Sequence, residues 1–107
     1  KGYRAVAYSA FAIGLMRYCY GLDRPHPGFV VIDSPLTTFK EGSTSESGSE
    51  VPGEIQTAFW ADLAELRPDM QVVILENKVP SIEIREQINY VEFVGNKGNG
   101  RKGFFPD

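Results

Sequence analysis

Apolar and polar residues alternate along this chain in runs that each predict a different element. From Gly2 to about Leu22 the sequence is rich in Ala, Leu, Met and aromatic residues and contains no proline, which predicts a long helix. Through Met16 that helix is apolar on most of its circumference, so it is expected to be buried between a sheet and other elements. Asp23-Arg24-Pro25-His26-Pro27-Gly28 stops it in a turn. The four consecutive apolar residues Phe29-Val30-Val31-Ile32 then suit a strand covered on both faces, ending abruptly in Asp33-Ser34-Pro35. Ile55, Phe59, Leu63 and Leu66 recur at helical spacing and predict a second helix from about Gly53 to Leu66, which Pro68 ends. Gln71 to Asn77 is a second short apolar run ending in polar residues. Strand, helix, strand in that order reads as a right-handed βαβ crossover, and the expected class is α/β, a small, mainly parallel sheet flanked by helices.

Between the first strand and the second helix lies Lys40 to Glu50, made of Ser, Gly, Glu, Lys and Thr without an apolar side chain, and expected to be a mobile surface loop. After the second strand, Ser81 to Gln87 reads as a short helical turn starting at a serine cap, and the alternation from Ile88 to Val94 reads as an edge or final strand. Gly95 to Gly103 is a basic, glycine-rich loop followed by Phe104-Phe105.

At 107 residues the chain holds one small core, so residues 1–107 form a single domain or a piece of one. It opens inside what reads as a helix, which points to a piece of something longer. The early apolar run lacks a cleavage site for a signal peptide and is shorter than the roughly 20 residues a membrane span requires, so no membrane partner is expected. The single cysteine, Cys19, has no internal disulfide partner, which fits a reducing, cytoplasmic setting. A net charge of −3 argues against a domain that coats DNA by bulk charge, while leaving room for local basic patches.

Candidate chemistry gathers at the ends of the two strands. Ligand sites of parallel α/β sheets lie beyond the carboxyl ends of the strands, and Asp33 there is placed to hold magnesium on a nucleotide, the logic of a Walker B strand. If the strands are neighbours, Asp33-Ser34 and Glu76-Asn77 meet at one edge. Ser34 stands where many ATPases carry the glutamate that orients the attacking water, and serine is no strong base at neutral pH, so Glu76 is the substitute candidate. A plain alternative is that Asp33, Ser34, Pro35, Glu76 and Asn77 simply build turns. His26 is the only histidine, without companions for a metal site. No G-x-x-x-x-G-K-[ST] phosphate loop occurs in the sequence.

In order and spacing these features resemble the C-terminal lobe of the ATP-binding-cassette-type head of SMC-like ATPases, a group that includes chromosome-maintenance and double-strand-break-repair proteins and related bacterial proteins with coiled-coil insertions. Lys1-Gly2-Tyr3-Arg4-Ala5 looks like the end of the family's signature motif, Phe29 to Pro35 looks like Walker B in an Asp-Ser-Pro form, and Gln71 to Asn77 looks like the switch strand. The resemblance implies a partial P-loop-NTPase fold and a head that binds and hydrolyses ATP with Mg²⁺ on dimerisation, in DNA repair, maintenance or defence. It implies that Gly2, at a helix N-terminus, faces the γ-phosphate of a nucleotide held by a second head, and that Asp33 is the magnesium-linked carboxylate. Asn77 lies near the place of the family's histidine. The implied partners are the N-terminal P-loop lobe of the same protein, encoded far upstream across a coiled coil, a second head in a homodimer, and DNA. Without the P-loop, the isolated chain is not expected to be active.

Two readings from other classes compete. One is a non-catalytic binding module whose basic loop around Arg101 and Lys102 contacts an anionic partner. The other is a small signalling-type domain using Asp33 as a metal or phosphate-acceptor site, which the low number of strands weakens.

Overall fold

A computed structural model describes residues 3–36, 51–95 and 98–105 of the chain. The order of elements is helix α1 (Tyr3–Gly21), strand β1 (Phe29–Asp33), helix α2 (Gly53–Ala64), strand β2 (Gln71–Leu75) and the single helical turn α3 (Ile82–Arg85). β1 and β2 pair in parallel, with Phe29 opposite Gln71 and Asp33 opposite Leu75. The protein is therefore a small α/β structure whose described residues form a two-stranded parallel sheet with flanking helices. Among the described residues no helix is long and apolar enough to cross a membrane.

The turn that delivers the chain from α1 to β1 is fixed by glycine and tyrosine chemistry. Gly28 sits at φ +80°, a conformation open to glycine without penalty, and accepts the Gln71 N–H on its carbonyl at 2.9 Å, starting the strand pairing. The Tyr20 hydroxyl donates to the Asp69 carbonyl at 3.2 Å across the same corner. His26 stays local: its Nδ1 accepts the Gly28 N–H at 3.0 Å.

One face of the sheet is packed. Ile32, Val72 and Ile74 point into a core made by Ile13 of α1, Leu36, Val51, and Trp60 and Leu63 of α2, with Ile84 of α3 at its margin. Met16 of α1 is also fully buried. An Arg17–Asp62 ion pair at 2.9 Å joins α1 to α2 outside this core. α2 begins at Pro52, whose carbonyl accepts the N–H groups of Ile55 and Gln56. It ends at Ala64, short of the expected Leu66, because the chain tightens into a Leu66 N–H to Leu63 carbonyl turn ahead of Pro68.

Three expectations are corrected. α1 is not covered all round: Ser9, Ile13 and Met16 are buried, whereas Tyr8, Phe11, Leu15, Tyr18 and Leu22 form an exposed stripe at alternating spacings of three and four. Nor is β1 covered on both faces, since Phe29 and Val31 are more than half exposed and Val73 and Leu75 of β2 flank them. The segment from Ile88 to Val94 forms no strand. Its alternation needs a ladder to realise it, and instead the Val94 N–H bonds the Arg101 carbonyl at 2.9 Å, folding the tail back on itself. The expected mobile loop at 40–50 lies outside the described residues.

Candidate functional site at the carboxyl edge of the sheet

Parallel pairing in register brings the carboxyl ends of β1 and β2 to one edge, because Asp33 and Leu75 are partners and Glu76 follows directly. Strand direction thus does what the sequence required of it: Asp33-Ser34 and Glu76-Asn77 leave the sheet on the same side.

Asp33 is exposed, and its Oδ1 accepts the Ser34 hydroxyl at 2.8 Å. Ser34 itself stands at φ +51°, in the left-handed region. For a residue with a Cβ this costs about 1–2 kcal/mol, and Pro35 behind it bars the ordinary helical alternative. Fixed contacts hold it there. The Ser34 N–H donates to the Leu75 carbonyl at 2.7 Å, extending the ladder one bond past β1. Pro35 and Leu36 are then sunk into the interior, with Leu36 only 1% exposed.

Glu76 supplies the second fastening. Its Oε2 accepts the Leu36 N–H at 2.7 Å, while its Oε1 accepts the N–H groups of Asn77 at 2.8 Å and Lys78 at 3.3 Å. Charge-assisted bonds of this type are stronger than neutral ones, and here they satisfy three main-chain donors of two turns at once. Asn77 is exposed next to them. The main-chain N–H of Leu36 is the functional partner that the sequence did not announce, because nothing in a leucine codes for a carboxylate forty residues away.

The chemical capacity of this edge is that of an exposed carboxylate at the end of a paired parallel strand. Among the described residues no three His, Cys, Asp or Glu side chains gather to hold a metal ion. A magnesium ion on a nucleotide asks less of the protein, one or two carboxylates with phosphate oxygens and waters completing the octahedron, and Asp33 fits that demand. Gly2, expected at the γ-phosphate, lies outside the described residues.

The basic tail is arranged differently from an open anion cradle. Arg101 donates from Nε to the Gly103 carbonyl at 3.2 Å and from Nη2 to the Phe104 carbonyl at 2.8 Å, and its guanidinium stacks 5.5 Å from the Phe93 ring centroid. Phe93 in turn lies 5.9 Å from Phe104. The arginine is occupied in holding its own loop together.

No protein-family model, curated protein or solved structure matches this chain.

Proposed function

We propose that this chain is the Walker B and signature-helix half of an SMC-like ATPase head, one that binds and hydrolyses ATP when two heads dimerise, and that it serves DNA repair, maintenance or defence in the cytoplasm. The observation that carries the reading is the common carboxyl edge of two parallel strands, with an exposed Asp33 at the end of the first and Glu76-Asn77 at the end of the second. Parallel sheets put nucleotide chemistry at such edges. The uncovered sheet face and the α1 stripe agree with it, because a parallel sheet is ordinarily covered on both faces and a P-loop lobe of the same head would supply that cover.

In this reading ATP and its P-loop come from the other lobe, and magnesium supplies charge neutralisation of the β- and γ-phosphates. Asp33 holds the ion directly or through water. Ser34 keeps the Asp33 carboxylate oriented through its hydroxyl and cannot itself take a proton from water. Asn77 lies near the place of the family's histidine, at the same edge of the sheet. Gly2 faces the γ-phosphate of a nucleotide on the second head.

The test is the complete reading frame that encodes this chain. It should contain an upstream P-loop and a long heptad segment, and its purified product should hydrolyse ATP in a magnesium-dependent way. The 107-residue chain alone should bind no ATP by calorimetry, because the P-loop and its lysine cradle the phosphates. A frame without a P-loop, or micromolar ATP binding by the chain alone, overturns the half-site reading.

A further inference from the structure

We propose that Glu76 is a positioning residue, a clasp that fastens the turn after β1 to the turn after β2 and thereby sets the Asp33 carboxylate. The role in ATP chemistry rests on the function proposed above; the clasp itself rests on geometry alone. Glu76 has one oxygen on each turn. Oε2 receives Leu36 N–H of the first turn, and Oε1 receives Asn77 and Lys78 N–H of the second. A carboxylate has two equivalent acceptor oxygens, so it satisfies both sides, whereas an amide offers one acceptor and one donor and must leave one turn facing a like donor.

From this clasp a short physical chain runs to Asp33. Leu36 is anchored by burial and by its bond to Glu76. Two residues earlier, Ser34 is held in the left-handed region between that anchor and its own N–H bond to the Leu75 carbonyl. Such a conformation persists only where the surroundings over-determine it. The same backbone setting aims the Ser34 hydroxyl at Asp33 Oδ1. Releasing Leu36 therefore lets Ser34 relax toward ordinary φ, and Asp33 loses its hydroxyl donor. In this role Glu76 acts on the site through the turn.

The test uses nuclear magnetic resonance on the full chain and needs no nucleotide. In the unsubstituted protein, a scalar coupling across the hydrogen bond should link the Leu36 amide nitrogen to the Glu76 carboxyl carbon. In Glu76→Ala, which removes both acceptor oxygens, the Leu36 amide should exchange with solvent about 10- to 100-fold faster, as expected for loss of a charge-assisted bond, while the β1–β2 amides stay protected. The decisive signal is the Asp33 carboxyl carbon: its chemical shift should move more in Glu76→Ala than when the same substitution is made in a Ser34→Ala background, because the lost Glu76 charge acts through space in both and only the first also loses the Ser34 hydroxyl donor. Equal movement in the two backgrounds, or an unmoved Asp33 carbon in the folded variant, overturns the proposal. If Glu76→Ala unfolds the chain, the coupling in the unsubstituted protein decides: its presence supports the clasp and its absence removes it. These signals do not read hydrolysis, so an inactive whole protein with an intact clasp defeats the ATPase reading alone, and an unmoved Asp33 carbon defeats the clasp whatever the activity.

Discussion

The Tyr20 hydroxyl occupies the space a side chain at Gly28 would need: a Cβ added there would overlap the phenol oxygen. That oxygen is also held, by its bond to the Asp69 carbonyl. The corner linking α1, β1 and the approach to β2 thus depends on a missing side chain and on a positive φ.

Gly28→Ala should accordingly destabilise the chain by about 1–3 kcal/mol, read as a lower denaturation midpoint at unchanged slope. Two costs combine, and a second substitution separates them. Tyr20→Phe in the Gly28→Ala background removes the overlapping oxygen but leaves alanine at φ +80°, so it should recover only part of the loss.

The two sides of α1 should respond unequally to truncation. Met16 is fully buried, and Met16→Ala should cost about 2–5 kcal/mol through lost transfer energy and a cavity. Phe11 is 70% exposed, so Phe11→Ser should shift stability by no more than about 0.5 kcal/mol in the isolated chain. Equilibrium urea denaturation of both variants makes the comparison. A large loss at Phe11 would mean that the stripe is covered in solution.

The contrast within α1 also marks where the sequence stops being informative. Runs such as Phe29–Ile32 and Val72–Leu75 betray strands, and an intervening helix implies that they run parallel, as they do. Apolar residues on every side of α1 say that burial is wanted, but not which neighbour provides it, and so the stripe from Tyr8 to Leu22 was invisible. Alternation from Ile88 to Val94 failed for a related reason, since a strand exists only where a partner edge accepts it. At the site, Asp33 and Glu76 were legible from strand ends. The left-handed Ser34 was not, because serine gives no sign of positive φ and the contacts that impose it are long-range.

Glu83, in the first turn of α3, should titrate below the ordinary glutamate value, because its own main-chain N–H and then the Ser81 hydroxyl donate to its carboxylate. A carboxylate with a depressed folded value favours the folded state at pH above its unfolded value, and that contribution disappears as pH falls through the folded one. The group is fully exposed, so the effect belongs to α3 rather than to the core. Carbon-detected titration should show the low midpoint, and Ser81→Ala should move it upward toward the ordinary value. An unchanged midpoint in Ser81→Ala would remove the hydroxyl from the explanation.

Asp33→Asn separates charge from shape at the sheet edge. The side chain is exposed and accepts the Ser34 hydroxyl, which an amide oxygen can still accept, so β1 and its pairing with β2 should survive intact. Far-ultraviolet circular dichroism and the denaturation midpoint should therefore match those of the unsubstituted protein. What the amide removes is the negative charge a magnesium ion requires. On the proposed function, metal-assisted stabilisation of the transferring phosphoryl group in the whole protein would be worth several kcal/mol, so magnesium-dependent hydrolysis should fall by about 100-fold or more. Asparagine at position 33 with undiminished magnesium-dependent turnover would show that this edge does not hold the metal, and Asp33 would revert to a turn-forming residue at the end of a strand.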